Sequence, residues 1–172
     1  MVDRAYNFAA GPACMPEPVL KKAQSELMNW HGCGMSVMEM SHRGSQFAEI
    51  HTEAKARFKR LLNIPDTHEV LFLQGGATGQ FAAIPLNLMD GKAASYAVTG
   101  NFSGIAAKEA AKYGEVRIAY EGKENNYSHI PTQGELVIAP DSAYFHYCAN
   151  NTIYGTAWDY VPETSGVPLV AD

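Results

Sequence analysis

The chain has 172 residues, of which 47% are hydrophobic, 18% charged and 10% aromatic. This composition is typical of a globular protein and excludes a disordered, collagenous or coiled-coil chain. Its 13 Lys and Arg against 18 Asp and Glu give a net charge of −5. That balance argues against a nucleic-acid partner and against electrostatic binding to an anionic membrane. No apolar run approaches the roughly 18 residues that a membrane helix requires.

The cysteines indicate a reducing compartment. Cys14, Cys33 and Cys148 are odd in number and widely spaced, which is not the pattern of a disulfide framework. The N-terminus contains no apolar signal-peptide stretch, so the sequence predicts a cytoplasmic protein. His31 and His146 each stand two residues before a cysteine. That spacing does not match the usual zinc motifs, and we predict no metal site.

Helical spacing of apolar residues predicts two helices in the first third of the chain. The first runs from about Pro16 to Trp30, because proline suits the first turn of a helix. The second is marked by apolar residues from Phe47 to Leu61 and stops before Pro65.

Short apolar runs then alternate with helical segments. In chain order the pattern predicts a strand over 69–73, a helix that follows the glycine-rich turn and ends near residue 86, a strand over 95–98, a helix over 102–112 and a strand over 116–119. Three further strand-like runs follow at 136–139, 144–147 and 167–171. This order predicts an α/β fold: a three-layer sandwich with a mainly parallel sheet and helices on its faces.

The last apolar run ends in a carboxylate, Asp172, where the chain stops. A buried strand needs a following element to cover it. We therefore expect the chain to be the N-terminal part of a larger domain.

The turn from Gly75 to Gly79 lies between a predicted strand and a predicted helix. Glycines allow a ligand to approach the backbone, and the free amides at a helix start favour a phosphate. The turn lacks the lysine of a P-loop and does not match G-x-G-x-x-G, which disfavours classical nucleotide binding. The alternative is a tight turn that binds nothing.

Three other segments contain residues that suit a ligand. Asp172 follows a strand, where a carboxylate could hold the protonated ring nitrogen of pyridoxal phosphate; alternatively it caps a helix. Phe102 also follows a strand and could stack on a planar cofactor or be the first core contact of its helix. His42 and Arg43 occupy a polar turn, where the arginine suits a carboxylate or phosphate. The alternative is a solvent-exposed arginine beside a capping Ser41.

Several segments taken together resemble the phosphoserine aminotransferase family, which consists of class-V, fold-type I enzymes that depend on pyridoxal phosphate. The matching segments are, in order, 7–13 (NFAAGPA), 36–43 (SVMEMSHR), 73–81 (LQGGATGQF), 85–87 (PLN), 146–152 (HYCANNT) and 170–172 (VAD). The match extends over essentially the whole chain. It implies an N-terminal arm over 1–15 and, over 16–172, the N-terminal part of the cofactor-binding α/β domain.

The resemblance implies a homodimeric transferase of serine biosynthesis. Its reaction converts 3-phosphohydroxypyruvate and glutamate to O-phosphoserine and 2-oxoglutarate, and in bacteria the family also acts in pyridoxine biosynthesis. Position by position, the backbone of Ala77 and Thr78 would hold the cofactor phosphate and Phe102 would stack on the ring. Thr152 would hydrogen-bond the cofactor, and Asp172 would pair with its ring nitrogen.

The resemblance further assigns Arg43, with His42, to an anionic group of the substrate. Two positions depart from the family: Phe102 replaces the usual tryptophan, and the turn reads Gly-Gly-Ala-Thr where relatives often have a third glycine followed by Arg or Cys. The lysine that forms the Schiff base lies, in the family, after the strand that ends in Asp172. No catalytic residue is therefore assigned within this chain, and we expect the chain alone to be inactive.

Three other interpretations compete with this one. The first is a different fold-type I enzyme, such as a serine–glyoxylate aminotransferase or a cysteine desulfurase. The second is a non-catalytic module that binds a phosphate-bearing ligand, and the third is a purely structural interaction domain.

Overall fold

The structure, a computed structural model, describes residues 4–172 and divides into two compact units. The first ends at Phe72 and the second runs from Leu73 to Asp172. The sequence-based division into an arm over 1–15 and a domain over 16–172 stays a prediction, and residues 1–3 of that arm lie outside the described range.

The first unit contains two α-helices, α1 (Glu17–Glu26) and α2 (Ser45–Leu61). Single 3₁₀ turns at Trp30–Gly32 and Val37–Glu39 lie between them. Helix α2 confirms the prediction closely. Within residues 4–172, no helix combines the length and apolar character needed to cross a membrane.

Helix α1 is shorter than predicted. The side chain of Asn29 accepts a hydrogen bond of 2.6 Å from the backbone N–H of Gly34, and His31 has a positive φ of 48°. An asparagine that bonds nearby backbone competes with the helix for the same groups. The prediction that the helix reaches Trp30 was wrong. Apolar residues continue at helical spacing beyond Glu26, but the backbone leaves the helix there.

The predicted strand at 69–73 is also absent. The segment has no regular secondary structure and pairs with none of the four strands of the described sheet. Phe72 instead packs edge-on against Phe58 and His51, with ring centroids 5.8 and 5.4 Å apart. An apolar run suits a strand, but it forms one only where a neighbouring backbone supplies hydrogen bonds.

The second unit carries a four-stranded sheet. Its elements are α3 (Gly76–Leu88), β1 (Ala94–Val98), α4 (Asn101–Ala110), β2 (Val116–Glu121), β3 (Phe145–Tyr147) and β4 (Leu169–Ala171), with 3₁₀ turns at Lys123–Asn125 and Gln133–Glu135. All neighbouring strands are parallel, in the order β2-β1-β3-β4. The α/β class with a parallel sheet is confirmed. The predicted strand at 136–139 did not form: Val137 donates one backbone bond of 2.9 Å to Ala119, and no ladder follows.

Both faces of the sheet are covered. On one face, α3 and α4 bury an apolar cluster that includes Phe81, Tyr96 and Tyr144. On the other face, loop residues such as Trp158 and Leu136 pack against Phe145. All five residues of β1 are buried, as expected for a central parallel strand covered on both sides. Side chains of β1 are therefore shielded from solvent, and an exposed group can follow this strand only beyond its ends.

Candidate functional site

The carboxyl ends of three strands meet at one edge of the sheet. Tyr96 of β1 is in register with His146 of β3, which is in register with Val170 of β4. Because the strands are parallel, the segments that follow them emerge together, and open α/β sheets bind ligands at this edge. The five residues predicted to hold the cofactor (Ala77, Thr78, Phe102, Thr152 and Asp172) all lie in segments that adjoin this edge.

Helix α3 begins at the same edge. It leads directly into the start of β1, so its N-terminus points back toward the carboxyl ends of the strands. Gly75 precedes the helix with a positive φ of 92°, and a Cβ there would lie 3.2 Å from the Cα of Gly79. Only glycine suits that conformation and that spacing. Ala77 and Thr78 are exposed in the first turn, which carries no acidic residue.

Phe102 is the second residue of α4, and its side chain is 41% exposed. The turn before it is held by Ser103, whose Oγ accepts bonds of 2.9 Å from the backbone N–H groups of Thr99 and Gly100. The same hydroxyl donates to the carbonyl of Gly100 at 3.0 Å. The Phe102 ring is therefore held at the start of the helix and is not buried in the core. A residue that stacks on a ligand requires such exposure.

Thr152 is exposed in the loop after β3, and its neighbour Asn151 anchors that loop. Asn151 is 5% exposed, and its Nδ2 donates bonds of 2.6 Å to the carbonyl of Thr99 and to Oγ1 of Thr156. A Cβ on Gly100 would lie 2.8 Å from Cγ of Asn151. Gly100 therefore makes room for the amide that ties the loop of Thr152 to the turn of Phe102.

Asp172 follows β4 and is exposed. Its backbone N–H donates to the carbonyl of Tyr147 at 3.0 Å, and its carbonyl accepts from Ala149 at 2.8 Å. These two bonds extend the pairing of β3 with β4 to the last residue. The pKa of the buried Cys148 thiol is raised above its usual value. Burial is the larger cause, and the hydrogen bond to the Asp172 carboxylate is the second. Cys148 is therefore a neutral thiol, not an activated nucleophile.

His42 and Arg43 belong to the first unit. They lie in an exposed turn before α2, where Ser41 Oγ accepts a bond of 3.3 Å from the N–H of Arg43. The Ser41 carbonyl accepts a second bond, of 2.8 Å, from Gly44. Among residues 4–172, no ion pair engages the guanidinium of Arg43. Its charge is free to meet an anion.

A cavity of about 580 Å³ also opens beside α4. Its wall includes Asn101, Lys108, Lys123 and Tyr127, together with Gly100. None of the side chains predicted to contact a cofactor lines it. The candidate site is therefore the strand edge itself, and this cavity lies next to it, between the turn of Gly100 and the end of β2.

Sequence reasoning missed three residues that shape this edge. Asn151, Gly100 and Ser103 were not assigned any role, although Asn151 and Gly100 each stand directly beside or near a predicted site residue. A strand followed by a short polar segment is a weak signal for such a role. Their function depends on a bond between segments 52 residues apart in sequence, which no local pattern could indicate.

Comparisons with known proteins identify the family. A family model described as aminotransferase class-V matches residues 5–167. Because this match covers nearly all of the chain, the chain belongs to the class-V aminotransferase family.

Within that family, the chain is similar to phosphoserine aminotransferases. It is 54% identical to the one from Laribacter hongkongensis over 97% of this chain and 46% of that protein. The structure of the Bacillus circulans subsp. alkalophilus enzyme matches with a TM-score of 0.93 at 43% identity, covering 98% of this chain and 47% of the other. A pyridoxal-phosphate-bound enzyme from Trichomonas vaginalis matches with a TM-score of 0.89 at 38% identity, over 98% and 47%. The chain spans about half the length of these relatives.

The contact between Gly100 and Asn151 can be tested with two neighbouring glycines. The protein to test is the product of the whole reading frame that encodes this chain, called here the whole gene product. Gly100→Ala should lower its free energy of unfolding by about 1–3 kcal/mol, because the new methyl group displaces Asn151. Gly104→Ala is the matched control, since its Cβ would lie 3.7 Å from Val98 Cγ1, an ordinary contact. Because position 104 lies within α4, Gly104→Ala should raise the free energy of unfolding by about 0.5–1 kcal/mol.

The measurement is the urea concentration at the midpoint of unfolding. An unchanged midpoint for Gly100→Ala would show that the loop accommodates the methyl group and that Asn151 does not hold the two segments together.

Proposed function

We propose that the whole gene product is a pyridoxal-phosphate-dependent phosphoserine aminotransferase, and that this chain supplies much of its cofactor site. Its reaction would convert 3-phosphohydroxypyruvate and glutamate to O-phosphoserine and 2-oxoglutarate. The observation that carries the proposal is the meeting of a glycine-rich helix start, an exposed aromatic ring, a threonine and a carboxylate at one sheet edge. The similarity of the chain to phosphoserine aminotransferases supports it.

The start of α3 fits the cofactor phosphate. The first backbone N–H groups of a helix have no partner within it, and the helix dipole favours an anion there. Gly75 allows the left-handed turn from which the helix starts, and no acidic side chain in the first turn repels the phosphate. The backbone of Ala77 and Thr78 would donate to the phosphate, so the change of side chain at this turn relative to the family leaves the main-chain donors intact.

The remaining edge residues fit the ring. When bound, pyridoxal phosphate supplies a ring that accepts electron density from the substrate. Phe102 would stack on one face of that ring, although its six-membered ring offers less area than the tryptophan usual in the family. Thr152 would donate a hydrogen bond to the cofactor. Asp172 would hold a proton on the ring nitrogen, because a carboxylate beside that nitrogen favours its charged form.

Arg43 and His42 would bind an anionic group of the substrate. Arg43 carries the fork of donors that suits a carboxylate or phosphate, and His42 stands beside it. No lysine is buried within the described part of the chain, so none has the desolvated setting that activates an amine. The lysine that forms the Schiff base would therefore come from the remainder of the whole gene product. We further propose a cytoplasmic homodimer, with a second reaction in pyridoxine biosynthesis.

A substrate panel tests the proposed activity. The purified whole gene product, supplied with pyridoxal phosphate, is assayed with phosphoserine and 2-oxoglutarate, with serine and glyoxylate, and for sulfide release from cysteine. The kcat/KM for phosphoserine should exceed that for serine by about 30-fold or more, because losing a desolvated charge pair costs about 2–5 kcal/mol.

Each competing interpretation has its own outcome in this panel. Faster turnover of serine with glyoxylate, or sulfide release, would indicate another fold-type I enzyme. Cofactor absorbance without turnover would favour a binding module. Absence of both would favour a structural interaction domain.

The role of Asp172 can be separated from cofactor binding. Asp172→Asn should leave pyridoxal phosphate bound but lower the transamination rate by orders of magnitude, because an amide cannot hold the positive charge on the ring nitrogen. Visible absorbance measures the bound cofactor, and single-turnover kinetics measure the rate. If the variant turned over at nearly the wild-type rate, Asp172 would serve only to end its strand.

The role of Arg43 depends on both charge and shape. Arg43→Ala should lower kcat/KM by about 30-fold or more, while cofactor absorbance stays normal. The kcat/KM of Arg43→Lys should lie between those of the wild type and Arg43→Ala, since lysine keeps the charge but loses the paired donors. Lys21→Ala, which changes an exposed cation elsewhere in the first unit, is the control. Values within about twofold of wild type, roughly 0.4 kcal/mol, for both glutamate and phosphoserine would show that Arg43 is only an exposed turn residue.

A further inference from the structure

His146 is a buried imidazole at the centre of the sheet. It lies in β3 with 1% of its surface exposed. Its ring stacks on Tyr96 with centroids 4.8 Å apart and planes inclined by 22°, and Phe81 of α3 meets it edge-on at 6.2 Å. Neither ring nitrogen has a hydrogen-bond partner among the residues that the structure describes.

Such an orphaned imidazole is unusual. Buried polar groups are nearly always hydrogen-bonded, and leaving one unpaired is costly. Burial lowers the pKa of His146 from 6.5 to about 4, so the ring is neutral near pH 7 and carries one N–H donor and one acceptor nitrogen. A phenylalanine would fill this apolar position without that cost. We therefore expect the imidazole to have a hydrogen-bond partner.

The groups that face His146 narrow the choice of partner. Helix α3 contains no ionisable side chain. The hydroxyl of Tyr96 is already engaged with that of Tyr144 at 2.6 Å. Cys148, directly after the same strand, is a buried, weakly polar thiol. The remaining candidate is Asp172, the charged group nearest along β4.

Strand register places Asp172 on the same face of the sheet as His146. Val170 is in register with His146, and side chains two residues apart along a strand share a face. Asp172 is therefore the diagonal neighbour of His146, a separation that long and aromatic side chains can span. The carboxylate also acts on the imidazole, since it raises the pKa of His146 against the larger effect of burial.

We propose that His146 is a positioning residue for Asp172: in the whole gene product the exposed carboxylate turns toward the sheet and accepts a hydrogen bond from the N–H of His146, which has no partner among the described residues. This bond would orient the carboxylate and leave its other oxygen free for the ring nitrogen of the cofactor. The inference rests on the proposed function, because the task of Asp172 is defined there. His146 itself contacts neither cofactor nor substrate.

The first test needs no cofactor and no activity. In the cofactor-free whole gene product, ¹⁵N chemical shifts of the imidazole nitrogens report which nitrogen of His146 carries the proton. One tautomer should dominate in the wild type. Asp172→Asn should change the tautomer ratio by about fivefold or more, which is about 1 kcal/mol at 1.4 kcal/mol per tenfold.

Asp90→Asn is the matched control for this test. Asp90 precedes β1, at the opposite edge of the sheet, and its positive φ of 42° suits asparagine. This control removes the same charge and should leave the His146 tautomer ratio unchanged. An unchanged ratio in Asp172→Asn, or an equal change in both variants, would overturn the proposal.

The second test separates positioning from packing. His146→Gln retains an N–H, whereas His146→Phe retains the aromatic ring. Both should bind pyridoxal phosphate, and kcat should fall by about tenfold or more in the Phe variant, as is common when a supporting partner is lost, with KM unchanged. The Gln variant should retain more of kcat. A Phe variant with wild-type kcat in an active aminotransferase would overturn the role of His146 and leave the proposed function standing.

Discussion

The parallel pairing of β1, β3 and β4 is the constraint on which the candidate site depends. Three strands in register deliver the turn before Phe102, the loop of Thr152 and the carboxylate of Asp172 to one edge. Helix α3 brings its N-terminus to the same place because it leads back into β1. Residues from four distant parts of the second unit thus meet without any direct attraction between their side chains. Backbone hydrogen bonds do the positioning, and they do not depend on side-chain identity.

Polar contacts between segments then refine this arrangement. Asn151 joins two of the loops at the edge, and the absence of a Cβ at Gly100 makes that bond possible. Beneath the edge, His146 and its stacked tyrosine lie in an otherwise apolar interior. Groups of this kind are costly to bury unless they are satisfied. Their presence under Asp172 is consistent with an edge whose carboxylate must keep one orientation.

Sequence patterns predicted elements well where one segment carries its own signal. The periodicity of α2 and the buried run of β1 needed no knowledge of the rest of the chain. Sequence patterns gave wrong predictions where the secondary structure of a segment depended on pairing with another segment. The runs at 69–73 and 136–139 are as apolar as true strands, but no neighbouring backbone pairs with them along a ladder. The end of α1 was misplaced because apolar spacing continues beyond Glu26, where the helix ends, into a turn that Asn29 stabilises.

The sequence by itself determined the α/β class, the glycine-rich helix start and the chemical types of the candidate residues, because each of these is written in a local run or in the resemblance to a known family. Only the tertiary structure decided which strand ends lie together, that Asn151 ties two of them, and that His146 is buried without a partner beside Asp172. These features arise from pairing and packing between residues tens of positions apart. A local pattern carries no information about such distant partners, because their proximity is created by the fold.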